Sequence, residues 1–178
     1  MKQKRLLLLL VLPLYTLWGC GSAEPIKCYR YSTTKNILEN AVMQVINSNP
    51  KIRVDNATQR QFDSAMLANK SHWTSADSAE YYNNANAWID VNIKVGESEN
   101  YYLVRYRGTK SNWETSKISA IFISETHDKT GNTLYQGQNE HGEFKSKLAK
   151  ELTDVFEEEV VNKIDEELHL QHSNDCDY

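Results

Sequence analysis

Between residues 87 and 95 every second side chain is aliphatic, a pattern that strongly predicts a β-strand. Side chains that follow one another along a strand point to opposite faces, so this stretch would bury one face and wet the other. After a turn at residues 96–100, residues 101–107 alternate again, and the two stretches predict an antiparallel hairpin. The aliphatic positions of the first stretch are Ala87, Ile89, Val91, Ile93 and Val95.

Periodicity elsewhere in the chain predicts further helices and strands. Apolar residues recur every three or four positions over residues 34–47, in a second helix that starts at Asn56 or Thr58, and over residues 143–170. Strands are predicted at 51–55, 117–126 and 133–136. The order of elements predicts an α+β fold, with a mostly antiparallel sheet of about four to five strands covered by helices on one face. A long C-terminal amphipathic helix completes the predicted domain.

The N-terminus has the charge and hydropathy pattern of an export signal. Three basic residues precede an apolar run at residues 6–17, which is too short to span a bilayer. The run ends in Leu17-Trp18-Gly19-Cys20, which resembles the bacterial lipobox, although the bulk of Trp18 departs from that pattern. The resemblance implies that residues 1–19 are a lipoprotein signal peptide and that Cys20 carries a lipid such as palmitate. The alternative is an ordinary signal peptide cleaved nearby, which would leave Cys20 as a thiol.

The residue after Cys20 bears on the expected location. The position after Cys20 resembles the sorting position of bacterial lipoproteins, where an aspartate retains the protein in the inner membrane. This chain has Gly21 there, so we expect a lipid anchor in the outer membrane, facing the periplasm. Residues 20–33 are predicted to be the lipidated N-terminus and a short tether, residues 34–170 a single domain, and residues 171–178 a C-terminal tail. A fully extended tether of about thirteen residues reaches at most roughly 45 Å, so the domain would work close to its own membrane.

Charge limits the classes of partner. The whole chain has a net charge of −4, and without Lys2, Lys4 and Arg5 it would carry seventeen basic and twenty-four acidic residues, a net charge of about −7. Nucleic acids and anionic lipid headgroups bind to clusters of basic residues, so neither is an expected ligand of this acidic chain.

Two cysteines remain besides Cys20. Cys28 and Cys176 lie near the two ends of the mature chain, and in an oxidising periplasm such a pair is expected to form a disulfide. Two free thiols are the alternative.

Recognisable catalytic and metal-binding motifs are scarce. Glu125 and His127 could share a strand face, but Asp128 belongs to a turn, and a catalytic interpretation is not favoured. His169 and His172 lie near Cys176 in the tail, yet a disulfide would compete for the sulfur. The sequence therefore predicts no enzyme, no cofactor and no metal site.

Three segments of the sheet region carry a family resemblance. Residues 84–93 open a strand, residues 118–123 form a later one, and residues 130–135 follow its turn. Over residues 34–168 the chain resembles a group of envelope domains that includes the amino-terminal domain of TolB, the curli secretion lipoprotein CsgG and the lipoprotein activators of penicillin-binding proteins. The resemblance implies a binding domain that helps to assemble or regulate an envelope machine, and it carries over no catalytic residue.

The expected function is therefore that of a non-enzymatic binding or assembly accessory of an envelope protein complex. Partner binding is expected through strand addition at an open sheet edge or through a sheet face bearing Trp88 and Tyr106. The alternative is a carrier of a small ligand or lipid, which would need a concave apolar pocket.

Overall fold

The computed structural model describes residues 25–68, 70–76, 78, 87–137 and 143–175, and for residues 143–145 it describes the backbone alone. The strands are β1 (Lys27–Tyr31), β2 (Ile52–Val54), β3 (Trp88–Val95), β4 (Ser98–Tyr106), β5 (Ser119–His127) and β6 (Thr133–Tyr135). The α-helices are α1 (Lys35–Ser48), α2 (Ala57–Ala68), α3 (Lys110–Thr115), α4 (Glu143–Phe156) and α5 (Asn162–Leu168). Among the helices of the described ranges, none combines the length and apolar composition that a membrane crossing requires.

All strands belong to one antiparallel sheet with the order β1-β5-β4-β3-β2. β4 occupies one edge of β5, so β1 and β6 share the other edge, where β1 pairs with Ser119 to Ile123 and β6 with Glu125 to His127. The predicted α+β class, with a mostly antiparallel sheet and a long C-terminal helix, is confirmed.

A bulge in β5 decides which residues reach the far side of the sheet. The β4–β5 pairing passes from Val104–Ile123 to Leu103–Glu125, so Ser124 is an extra residue. Its hydroxyl donates to the carbonyl of Leu103 at 3.0 Å. Without the bulge, simple alternation from Ile123 would turn Glu125 toward the core.

The core lies between one sheet face and the helices α1, α4 and α5. The inner face takes the buried side chains of β3 and β4 that the sequence predicted for a strand interior, and tyrosines of β1 and β4 join them. The largest fully buried side chains of the core, from both the sheet and the helices, are Tyr29, Tyr31, Tyr102, Phe156, Leu38, Ile93, Ile121, Ile123, Leu152 and Ile164.

The domain is longer at both ends than the sequence predicted. Residues 20–33 were expected to be a tether, but Lys27–Tyr31 forms β1, because Tyr29 and Tyr31 are buried on the inner face. The tail was expected to start at residue 171, yet Ser173 forms an antiparallel bridge with Arg30. The ring of His172 packs edge-on against Tyr29 at 5.4 Å. These aromatic contacts draw both termini into the fold.

The C-terminal helix is interrupted where it passes the end of α1. A π-helix at Glu157–Val161 separates α4 from α5. The π-helix contains Glu159, which is buried and accepts hydrogen bonds from Asn49 (3.0 Å) and Lys163 (2.8 Å), and from Lys51. The wide turn therefore connects this helix to the segment that leads into β2.

Helix α2 is an exception to the prediction that helices cover one face. Its residues Thr58 and Phe62 contact Asp90 and Trp88, side chains of β3 that alternate away from the core. No residue of α2 is buried, so this helix packs more lightly than α1.

Candidate functional site: the outer face of the sheet

The outer face of the sheet is the face that points away from the core. Strand register arranges its side chains in rows that run across β1 or β6, β5, β4 and β3. The first row, called here the arginine row, contains Cys28, Phe122, Arg105 and Trp88. The second contains Tyr135, Glu125, Leu103 and Asp90, and the third Thr133, His127, Tyr101 and Asn92.

Arg105 lies at the centre of the arginine row between two aromatic rings. Its guanidinium carbon is 5.1 Å from the ring centroid of Trp88 and 5.7 Å from that of Phe122. Both distances lie in the range of a cation–π contact. The ring of Phe62, on α2, meets Trp88 edge-on at 4.8 Å. The helix therefore supports the Trp88 end of the arginine row.

Arg105 is partly buried without a polar partner. Its Nε atom is buried and has no hydrogen-bond acceptor, and the side chain makes no hydrogen bond or ion pair in the described structure. Burial lowers the pKa of the guanidinium from its ordinary value. Loss of hydration around a charge costs free energy unless an acceptor replaces the lost water. The two rings offset only part of this cost.

Glu125 lies in the next row and is also poorly hydrated. Burial raises the pKa of its carboxyl group; nearby His127 opposes the increase and the negative charge of Asp90 adds to it. Glu125 and His127 share the outer face because of the bulge at Ser124.

Asp90 anchors α2 to the outer face. Its fully buried carboxylate accepts hydrogen bonds from the Thr58 backbone N–H (2.8 Å), the Thr58 hydroxyl (2.7 Å) and the Tyr101 hydroxyl (2.7 Å). Thr58 lies in the first turn of α2, where free N–H groups and the helix dipole favour a negative charge. The ring of Tyr101 stacks on that of His127 at 4.8 Å. Asp90 is therefore occupied by structural hydrogen bonds and is poorly placed to act as a base.

The structure separates Trp88 and Tyr106, which the sequence analysis had placed on one face. Trp88 pairs with Arg105 and lies on the outer face, so the next residue, Tyr106, points the other way. Only 3% of Tyr106 is exposed, and the Lys35 ammonium lies 4.7 Å from its ring centroid. Tyr106 therefore belongs to the core, and the two residues form no common binding face.

Arg105 and Phe122 belong to the candidate site although the sequence did not predict them there. A signal was present, because Arg105 interrupts a strand rich in apolar residues on the side opposite Val104 and Tyr106. The neighbours that give it meaning, Trp88 and Phe122, come from other strands and depend on register.

Asp128 shapes a turn. Its carboxylate accepts hydrogen bonds from the Thr130 backbone and hydroxyl, both at 2.8 Å, and from the Asn132 backbone at 3.0 Å and side chain at 2.9 Å. Partial burial opposes ionisation, but the bonds from Asn132 and Thr130 outweigh it and lower the pKa of Asp128 to about 2. The carboxylate of Asp128 therefore stabilises the turn, and the contact of His127 with this residue is between its Nδ1 and the Asp128 backbone carbonyl, at 3.3 Å.

The remaining candidates from the sequence lie at the ends of the chain. Cys20 and Cys176 are outside the described residues, whereas Cys28 is buried and disulfide-bonded. His172 pairs with Asp165 at 2.9 Å, and His169 ends α5 with a φ of 52°. Over the described ranges, no group of three or more histidine, cysteine or acidic side chains is arranged to hold a metal ion.

A pocket of about 340 Å³ lies where β4 leads into α3. Trp113 and Ile118 provide apolar walls, and Arg107, Asn112 and Ser116 provide polar groups. The indole N–H of Trp113 donates to the Arg107 carbonyl at 2.8 Å, which fixes the ring at one side. A pocket of this size could admit a small molecule.

Comparisons with known proteins do not add a family. No family model matches the chain, and searches of curated proteins and of solved structures found no significant match.

Proposed function

We propose that this protein is a lipoprotein of the outer membrane that faces the periplasm and acts as a non-enzymatic binding accessory of an envelope protein complex. The outer face of the sheet carries this proposal, because it combines aromatic side chains with an arginine that has no polar partner in the part of the chain that the structure describes. Aromatic residues and arginine are enriched where proteins bind one another. The proposed contact surface is the arginine row together with Leu103.

The segment between the proposed lipid anchor at Cys20 and the first strand is short. Six residues separate Cys20 from Lys27, the first residue of β1. Fully extended, this segment spans at most roughly 25 Å, less than the sequence analysis allowed. A lipid on Cys20 would hold the sheet close to the membrane surface.

The disulfide bond of Cys28 bears on whether Cys20 has a free thiol, because Cys20 and Cys176 are the other two cysteines of the chain. Arg30 and Ser173 exchange two backbone hydrogen bonds, of 2.8 and 2.9 Å. Ser173 lies three residues before Cys176 in the sequence, and Arg30 lies two residues after Cys28. We infer that Cys28 is bonded to Cys176, which leaves the Cys20 thiol for the lipid.

The order of elements supports membership of the proposed group of envelope domains. The resemblance rests on a helix, a strand and a helix that precede the sheet hairpin, and α1, β2 and α2 precede β3 in that order. It also rests on an acidic turn after a late strand, and Asp128 and Gly131 form such a turn after β5. By this resemblance the partner is a component of an envelope assembly or secretion machine.

Metabolic labelling tests the anchor. Cells that express the full chain are fed an alkyne fatty acid, and membranes are separated by density. We expect label on the wild type in the outer membrane and none on Cys20→Ala, which should accumulate as the unprocessed precursor, whereas Ser22→Ala should behave as the wild type. Label that persists in Cys20→Ala would contradict the anchor.

Crosslinking in living cells, followed by affinity purification and mass spectrometry, tests the accessory function. We expect one envelope protein in near-stoichiometric amount. Recovery of the lipoprotein without any protein partner would reject this function.

The pocket beside α3 supports a second candidate, a carrier of a small ligand. Its indole wall and polar rim suit a small amphipathic molecule. Native mass spectrometry of the purified lipoprotein should then detect a bound molecule, and Trp113→Ala should lose it.

A further inference from the structure

We infer that Arg105 is the recognition site for a carboxylate of the partner protein, and that apolar side chains beside this carboxylate contact Trp88 and Phe122. The inference rests on the proposed accessory function and adds the surface and the chemistry of the partner.

The geometry around Arg105 suits a planar anion. Rings lie 5.1 and 5.7 Å from the guanidinium carbon on neighbouring strands and restrict the movement of the side chain. A guanidinium is a flat fork of N–H donors that matches the two oxygens of a carboxylate. Its Nε–H is buried and has no acceptor in the described structure, so the terminal N–H groups are the donors that would meet such a ligand.

The environment of Arg105 indicates a role other than stabilising the fold. An arginine retained for stability is normally paired, because a desolvated charge without an acceptor destabilises the folded state. Glu159 shows the paired arrangement in the same protein, with two lysines and an asparagine around one carboxylate. Within the described structure Arg105 has rings on either side and no hydrogen-bonded acid, which fits a group that is completed by a partner.

Charge favours a single carboxylate on a protein over a phosphate-rich surface. Asp90 and Glu125 lie in the row beside Arg105, and the mature chain would carry a net charge of about −7. An extended anionic surface would be repelled by this field, whereas one acidic side chain or chain terminus would meet the cation alone. Leu103, in the second row, adds apolar surface next to the site.

A set of substitutions separates recognition from folding. Arg105→Met keeps a side chain between the rings but removes the charge, so we expect the melting temperature to stay within about 2 °C of the wild type or to rise, while partner recovery from cells falls at least tenfold. Arg105→Lys keeps the charge without the fork and should bind at an intermediate level. The matched control is Arg53→Gln, which removes an exposed arginine paired with Glu99 and should alter neither result. Unfolding of Arg105→Met would assign Arg105 to stability and overturn the inference.

Site-specific crosslinking identifies what contacts the outer face. A photo-reactive amino acid is placed at Leu103 in the full lipoprotein, and at Ile37, an exposed position of α1, as control. We expect a protein adduct from position 103 alone, reduced at least tenfold by Arg105→Met. Neutralising the acidic group in the crosslinked partner should reduce capture equally, with no further loss when both changes are combined.

The other outcomes separate this inference from the proposed function. A protein adduct at position 103 that survives Arg105→Met rejects the carboxylate but keeps the accessory function. A protein adduct from position 37 alone rejects the outer face. Adducts to lipid alone reject a protein partner at this face, and the absence of protein partners from crosslinking and purification together rejects both proposals.

Discussion

Asp90, Glu159 and Arg105 show three ways in which this chain treats a charge removed from water. Asp90 receives three hydrogen bonds, and Glu159 is surrounded by Asn49, Lys51 and Lys163. Among the described residues, Arg105 is paired only with the faces of two rings. The charges of Asp90 and Glu159 are compensated by hydrogen bonds within the fold, so removing either should lower the free energy of unfolding. The charge of Arg105 is not compensated in this way.

Glu159 should make stability depend on pH in the acid range. Burial opposes its ionisation, but hydrogen bonds from Lys163, Lys51 and Asn49 outweigh burial and lower the pKa to about 2. A pKa below its unfolded value stabilises the fold above about pH 5, and this contribution is lost as the pH falls toward 2. We expect Glu159→Gln to lower the free energy of unfolding by about 1–2 kcal/mol at pH 7, less than the whole pKa shift would give, because the side chains of Lys51 and Lys163 are exposed to solvent.

Urea denaturation of the wild type and of Glu159→Gln from pH 7 to pH 2 measures this contribution. The two free energies of unfolding should converge at the acid end. A constant difference across the range would show that Glu159 contributes by packing alone.

Asp90 should control the attachment of α2. In Asp90→Asn the amide cannot accept at both oxygen positions, so either the Thr58 N–H or the Tyr101 hydroxyl loses its acceptor. We expect the free energy of unfolding to fall by about 1–3 kcal/mol and the amides of α2 to exchange faster with solvent. Tyr101→Phe removes one hydrogen bond and leaves the bond to the helix, so it should leave exchange in α2 unchanged. Equal exchange in Asp90→Asn and the wild type would contradict the anchoring role.

Sequence periodicity predicted the β3–β4 hairpin, α1, α2 and the long C-terminal helix, because their patterns are long and local, but it predicted no helix where the short α3 lies. It missed β1, whose five residues were assigned to the tether, and whose burial depends on β5 and on the tail. It also placed Tyr106 beside Trp88, because both sides of β4 carry apolar or aromatic residues and alternation alone does not identify the inner side. The position of α2 depended on the contact between Thr58 and Asp90, 32 residues apart.

The junction of β1 and the tail should be locked by the disulfide. Tryptic peptides of the unreduced protein should contain Cys28-Tyr29-Arg30 joined to the C-terminal peptide with Cys176. Removing this link with Cys28→Ser should lower the free energy of unfolding by roughly 4 kcal/mol, because the bond closes a loop of almost the whole domain. Cys176→Ser should have the same effect, and Cys20→Ser should have none. A Cys20–Cys28 peptide would reject both the pairing and the lipid on Cys20.

In the whole molecule, the proposed anchor and the disulfide meet at the same strand. β1 follows Cys20 after six residues, contains Cys28 and pairs through Arg30 with the tail. The arginine row begins on this strand and runs across the sheet to Trp88. A lipid on Cys20 would therefore limit how far the outer face moves from the membrane, and a partner bound to that face would have to lie within that range.

Lengthening the tether tests this limit. A forty-residue Gly/Ser segment between Glu24 and Pro25 adds a flexible linker with a root-mean-square length of about 35 Å. If the partner lies in the same membrane, the insertion dilutes the outer face over a larger volume, and crosslinking from position 103 should fall several-fold. The same segment added after Tyr178 leaves the tether unchanged and should leave crosslinking unchanged. An increase in crosslinking with the longer tether would instead place the partner farther across the periplasm, beyond the reach that six residues allow.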